Sequence, residues 1–254
     1  MEQDHQQEVI WARYSAIFLP ATVNAFLNPP SPPASATEAD LIVLKLNNAY
    51  LDMLVAVQHT PYFAKYMRSK KPIAAPGKQL PQAISERLVE VGPEFNKYMG
   101  NPALEEKFGR PPGYFESCTE TAVQVLSTIL TFFAKEPDPT ATIREETKNA
   151  LKALLKGWIK QAPGSFLANV SERVWLALDG NPLFLRDANK FRKQMKNWDV
   201  CGLPMCEAAT GLKVCGRYVT YVLSVIRILI FGKFSAVGPS AMYVLMKTIP
   251  KSVY

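Results

Sequence analysis

Tyr114-Phe115-Glu116-Ser117-Cys118-Thr119-Glu120-Thr121-Ala122-Val123-Gln124-Val125-Leu126-Ser127-Thr128-Ile129-Leu130-Thr131-Phe132-Phe133-Ala134-Lys135 is the stretch on which the fold turns. Ala122, Val125, Leu126, Ile129, Leu130 and Phe133 recur at steps of three and four residues, which puts a broad apolar stripe along one α-helix. Gly109-Arg110-Pro111-Pro112-Gly113 breaks the chain before it, and Pro137-Asp138-Pro139 turns the chain after it. A helix so apolar needs partners on several sides.

Downstream, Thr140 is placed to cap a helix running to about Gln161, with Ile143, Ala150, Leu154 and Ile159 inward. Pro163-Gly164 ends it, Ser165 to Leu178 is helical, and Asn181-Pro182 starts another helix to about Asn197. Upstream, Ile84, Leu88, Val91 and Phe95 share a face of a helix over 82–99, which Gly92-Pro93 bends or breaks. A short helix opens at Asn101-Pro102 and ends near Phe108. Residues 1–27 read as a helix kinked or split at Pro20, followed by the proline-rich linker 28–36. Thr37 and Asp40 resemble a capping box for a helix over 38–59; Pro61 closes it, and Tyr62 to Arg68 form a short helix. Residues 70–81, with Pro72, Pro76, Gly77 and Pro81, read as a break. No long period-two segment occurs before residue 218.

The fold class expected is mainly α: an irregular antiparallel helical array. The pairing of 114–135 with 141–161 is similar in layout to armadillo- or HEAT-type pairs, without a repeated residue signature. The organisation reads as an N-terminal helix and linker (1–36), a helical domain (37–197), a cysteine segment (198–217) and an apolar basic tail (218–254).

Of 254 residues, 48% are hydrophobic and 20% charged, an ordinary globular composition. The net charge is +7, of which the tail supplies Arg227, Lys233, Lys247 and Lys251 with no acid. The remainder carries 25 basic against 22 acidic side chains, a diffuse excess that argues for solvated surface and against a nucleic-acid partner. The N-terminus opens with Glu2, Asp4 and Glu8, unlike the basic start of a secretory signal. Clustered cysteines without an export signal point to metal rather than disulfides, and to an intracellular protein of cytoplasm or nucleus.

The cluster runs Trp198-Asp199-Val200-Cys201-Gly202-Leu203-Pro204-Met205-Cys206, then Gly211-Leu212-Lys213-Val214-Cys215-Gly216-Arg217. Cys201 and Cys206, with turn-forming Gly202 and Pro204 between them, can direct two thiolates at one metal. Cys215 opens a second knuckle. Thiolates are soft ligands suited to tetrahedral zinc. Buried structural cysteines are the competing explanation.

The run Cys-x4-Cys-x8-Cys-Gly-Arg resembles the opening of a MYND-type zinc finger of the fungal variety, where Leu-Lys-Val-Cys-Gly follows a helical region. That resemblance covers about 200–217. It implies two zinc ions cross-braced by four ligand pairs, with Cys201 and Cys206 as the first pair and Cys215 as the first member of the second. It also implies a non-enzymatic role in recognising protein or peptide partners, often proline-containing ones. The match then stops: Tyr218 stands where the next ligand is due, and no later Cys or His follows. The finger is truncated. Codons for Arg217-Tyr218-Val219 can contain a splice-donor sequence, so the tail is also readable as a retained intron.

Two rival readings follow. One is a helical-repeat scaffold with vestigial cysteines. The other is a membrane-associated protein anchored through 218–246, a stretch interrupted by Arg227, Lys233 and Gly238-Pro239. As catalytic candidates, Cys118 with His59 reads better as a core thiol, and Glu145-Glu146 as acids at a helix start. Phosphate loops, HExxH and GxSxG motifs are absent, as is the cofactor motif of the SET methyltransferases found in some MYND proteins.

Overall fold

The computed structural model describes residues 2–134 and 138–195. In chain order these form α1 (Glu2–Leu27), α2 (Glu38–Leu46), α3 (Asn48–Val57), α4 (Pro61–Arg68), a 3-10 helix (Pro72–Gln79), α5 (Leu80–Tyr98), α6 (Pro102–Lys107), α7 (Tyr114–Phe133), α8 (Glu145–Gln161), α9 (Phe166–Leu178) and α10 (Pro182–Met195). No strand occurs among the described residues, and the mainly α class is the observed one. The cysteine segment 198–217 and the tail 218–254 lie outside the described residues.

Helix α7 is the axis of the packing. Phe115, Ala122, Val125, Leu126, Ile129 and Leu130 are all fully buried, and Val123 and Phe132 extend the burial around the helix, while Phe133 is only partly covered. Its partners are α3, α4, α5, α9 and α10. Beyond them, α1 packs on α3, α4 and the 3-10 helix, and α8 lies across α5 and α9. The expected face of α5 is the observed one: Ile84, Leu88, Val91 and Phe95 are buried.

Helix starts follow their caps. Thr37 and Asp40 form the reciprocal capping box, with Asp40 N–H donating to Thr37 Oγ1 at 3.2 Å and Thr37 N–H to Asp40 Oδ2 at 3.0 Å. Thr60, Asn101 and Ser165 accept from the N–H groups of Phe63, Leu104 and Ala168 in the same manner.

Several sequence expectations are corrected. The helix expected over 38–59 is two helices, because Asn47 adopts the left-handed conformation (φ 58°) between them. Its amide donates at 3.3 Å to the carbonyls of Ala25 and Phe26, satisfying the open end of α1. Pro61 begins α4 instead of ending the preceding helix. Residues 72–79 form the 3-10 helix within the expected break. Of the alternatives expected at Pro20 and at Gly92-Pro93, the break does not occur, each lying inside one continuous helix. Gly92 serves an approach: a Cβ there would lie 3.0 Å from a Leu154 methyl and 3.4 Å from the Trp158 ring.

Helix α8 starts later than expected and turns a different face inward. Thr140 is held by Asp138, through its N–H at 2.8 Å and its hydroxyl at 2.7 Å, and Arg144 is the N-cap residue. Gln82 of α5 accepts from Arg144 N–H at 2.7 Å and donates to Thr147 Oγ1 at 3.3 Å, so a neighbouring helix supplies the missing cap. Ile143 is buried as expected, just ahead of the helix; within it Thr147, Leu151, Leu155 and Trp158 are buried, and Ala150, Leu154 and Ile159 are only partly so.

Candidate functional site

The metal ligands proposed from sequence, Cys201, Cys206 and Cys215, lie outside the described residues. The last described element ahead of them is α10, which is fixed to α7 and α9 with Phe184 and Ala188 buried. Among the described residues no group of three His, Cys, Asp or Glu side chains is arranged to hold a metal ion. Nor, among them, is any helix long and apolar enough to cross a membrane.

Cys118 and His59 do not form a nucleophile–base pair. The Cys118 thiol is buried on α7, 2% exposed, and shares a hydrogen bond with Tyr114 one turn before it. Burial pushes this thiol up to about 12; the Tyr114 hydrogen bond works against that, and the Asp52 carboxylate reinforces it. A thiol so held stays protonated at neutral pH and is a poor nucleophile. His59 lies in the turn between α3 and α4, edge-on to Phe191 with ring centroids 6.4 Å apart. Glu145 and Glu146 occupy the first turn of α8 at its surface and face Lys148 and Arg144, so they are accounted for by the helix start and its ion pairs.

A part-buried polar cluster surrounds Arg110, in the bend before α7. Its side chain is only 10% exposed. Nη2 lies 2.5 Å from Asp40 Oδ1 of α2, and the guanidinium sits 5.1 Å from the centroid of the Tyr114 ring. Hydrogen bonds from Thr37, with the Arg110 charge adding to them, hold the Asp40 carboxyl below its ordinary value. Burial, and then the neighbouring Cys118, push the Tyr114 hydroxyl well above the usual tyrosine range.

Beneath Arg110, the Glu105 carboxylate is 1% exposed and accepts from Gly113 N–H at 2.6 Å and Phe115 N–H at 3.2 Å. Glu105 therefore caps α7 from α6, where Gly113 in the left-handed region (φ 76°) has no side chain to do so. Asp52, Arg110 and Glu105 all act on the Cys118 thiol. Arg110 Nε is buried there without a hydrogen-bond partner. A cation enclosed by carboxylates is compensated, so this cluster has no net pull on an anion. What it does is fasten α2 to the start of α7.

Nothing in the sequence pattern distinguished Arg110 from the other residues of its Gly/Pro break, and Asp40 was legible only as a cap. Asn101-Pro102 followed by Glu105 was the available signal: a buried acid three residues after a helix start, facing another helix N-terminus. Comparison with family models, with curated proteins and with solved structures finds no match to this chain.

Proposed function

We propose that this chain is a non-enzymatic protein-recognition module in which a helical platform carries a partial zinc knuckle of MYND type at 198–217. The observation that carries the reading is the spacing Cys201-x4-Cys206-x8-Cys215, with Gly202 and Pro204 in the first knuckle. Cys201, Cys206 and Cys215 would hold the metal, which supplies folding free energy to such a segment and no reaction chemistry. Three thiolates leave one tetrahedral position without a protein ligand from this cluster. Affinity should therefore fall well short of the ~10–16 kcal/mol of complete structural sites. The partner class is a protein or short peptide, and the location is intracellular.

The absent fourth ligand favours a second reading, a helical scaffold with vestigial cysteines. Zinc titration of the purified full chain, beside the Cys201→Ser/Cys206→Ser variant, separates the two. The knuckle reading expects zinc that loads when supplied, is stripped by a chelator, and is lost in the variant. Zinc uptake that is unchanged in the variant, or nil in both proteins, overturns it and leaves the scaffold.

A further inference from the structure

Residues 53–85 contain no Asp or Glu, yet they hold Lys65, Arg68, Lys70, Lys71 and Lys78. All five lie on or between two short helices that pack on each other, α4 and the 3-10 helix. Lys65 and Arg68 stand one turn apart on the solvent side of α4, whose inner side carries buried Phe63, Ala64, Tyr66 and Met67. Lys70 and Lys71 follow at its exit. The 3-10 helix then packs back on α4, with Gly77 so close to Tyr66 that a Cβ would lie 2.8 Å from the ring, and exposed Lys78 follows Gly77 directly. All five side chains are exposed. Among the described residues none of them has an ion-pair partner, whereas Lys45, Lys97, Arg110, Arg144, Lys148 and Lys152 all do.

Within this basic surface sits Ile73, 64% exposed and the most exposed large apolar side chain among the described residues. It follows Lys70, Lys71 and Pro72 at the start of the 3-10 helix. Exposed lysine alone is ordinary surface, and one exposed isoleucine is too. Together, uncompensated cations around an apolar tip match the two components of an anionic bilayer surface: headgroup charge outside and acyl chain just beneath. A nucleic-acid backbone would use the cations but offers Ile73 nothing.

We propose that the surface formed by α4 and the 3-10 helix docks on anionic lipid, with Ile73 inserted at the headgroup boundary and the five cations above it. This contact uses none of the residues of the cysteine segment and would persist without zinc. Each basic residue near such a surface contributes about a fivefold gain in partition at moderate ionic strength.

The test is vesicle co-sedimentation of the full chain with phosphatidylcholine alone and with roughly a third phosphatidylserine. Four proteins are compared: unmodified, Lys70→Glu/Lys71→Glu, Ile73→Ser, and Lys160→Glu on α8 as a control for net charge. Because every substituted residue is exposed, circular dichroism should be the same for all four. Expected results are binding only with phosphatidylserine, a loss of tenfold or more for the double reversal, about fivefold for Ile73→Ser, and about twofold or less for Lys160→Glu. Raising salt to roughly 0.5 M should weaken the unmodified protein far more than the double reversal. The proposal is overturned if the unmodified chain fails to bind, if it binds both vesicle types alike, or if the double reversal binds as well as the unmodified protein. Tighter binding to duplex DNA than to vesicles, with Ile73→Ser indifferent, would overturn it in favour of a phosphate-backbone partner.

Discussion

Where α7 meets α3 and α4, with α1 behind them, the interior is laced with directional contacts; where it meets α5 and α9, backed by α8, the interior is mostly apolar. In the first region Tyr14 hydrogen-bonds Thr22, Ser15 meets Thr60 at 3.0 Å, Thr128 donates to Gln58 Oε1 at 2.7 Å, and Arg87 lies over the Phe26 ring while donating to the Phe26 carbonyl. In the second, Leu151, Leu155, Trp158, Leu167, Val170 and Val174 are buried, and two side-chain hydrogen bonds between helices, Trp158 Nε1–H to Asn96 Oδ1 at 2.7 Å and Gln82 Nε2–H to Thr147 Oγ1 at 3.3 Å, are only part-buried and mark the edge. Apolar packing rewards any arrangement that excludes water, whereas a buried hydrogen bond rewards one geometry and penalises its neighbours. The apolar region should therefore hold most of the stability, and the polar region most of the positional specificity.

Trp158→Ala tests the first half of that statement. The ring is 1% exposed and lies against Gly92, so its removal leaves a cavity that the close α5–α8 approach cannot collapse. A loss of about 3–5 kcal/mol is expected in urea denaturation. A loss below ~1 kcal/mol would show that α8 contributes little to the fold.

Asn47 probes the polar region by separating conformation from hydrogen bonding. Asn47→Ala keeps neither the ease at φ 58° nor the bonds to Ala25 and Phe26, and should cost about 2–3 kcal/mol. Asn47→Gly keeps the backbone freedom and loses only the side-chain bonds, so its cost should be about 1 kcal/mol lower. Equal losses in the two variants would mean that the left-handed conformation is unstrained there and that the α1 end-cap does all the work.

Asn47 also shows what the sequence could not disclose. Apolar periodicity continues across it, and Asn is tolerated inside a helix, so nothing local announced a break. The cause lies far off in the chain, at the unsatisfied carbonyls of α1. By contrast, the stripe of α7, the α5 face and the Thr37–Asp40 box were legible because each depends on residues within a few turns of itself. The α8 face failed for a different reason: Ala150, Leu154 and Ile159 satisfy helical spacing nearly as well as Thr147, Leu151, Leu155 and Trp158. Packing against α5 and α9, on other parts of the chain, decides between the two sets. The site followed the same rule. Cys118 was legible as core, whereas the Arg110 latch needed three segments brought together before it had a meaning. The cations of α4 and the 3-10 helix were visible as an acid-free interval, but a chain-wide charge total conceals them.

Gln58 and Thr128 sharpen the comparison at smaller magnitude. Thr128→Val leaves Gln58 Oε1 buried without its donor and should cost about 1–2 kcal/mol. Gln58 Nε2 already lacks a partner, so Gln58→Leu combined with Thr128→Val removes the whole polar pair and should cost less than Thr128→Val alone. A double-mutant cycle that came out additive would show that the two side chains are not coupled.

The smallest effect is expected in the apolar region, from Ser171. It is fully buried on α9, which packs on α7 and α8, and its hydroxyl is without a hydrogen-bond partner. Removing an unsatisfied hydroxyl from such surroundings relieves desolvation and leaves a void of only one atom. Ser171→Ala should therefore be neutral or stabilising by up to about 1 kcal/mol, read as an unchanged or raised melting temperature. A loss above ~1 kcal/mol would mean that the hydroxyl has a water or backbone partner, and that the apolar region carries a directional contact of its own. The same test in the polar region, Ser15→Ala, should go the other way, because Ser15 meets a partner in Thr60 that is itself holding the first turn of α4. The sign difference between two serine-to-alanine changes, each too small to alter the packing, isolates hydrogen bonding from volume more cleanly than any large truncation could.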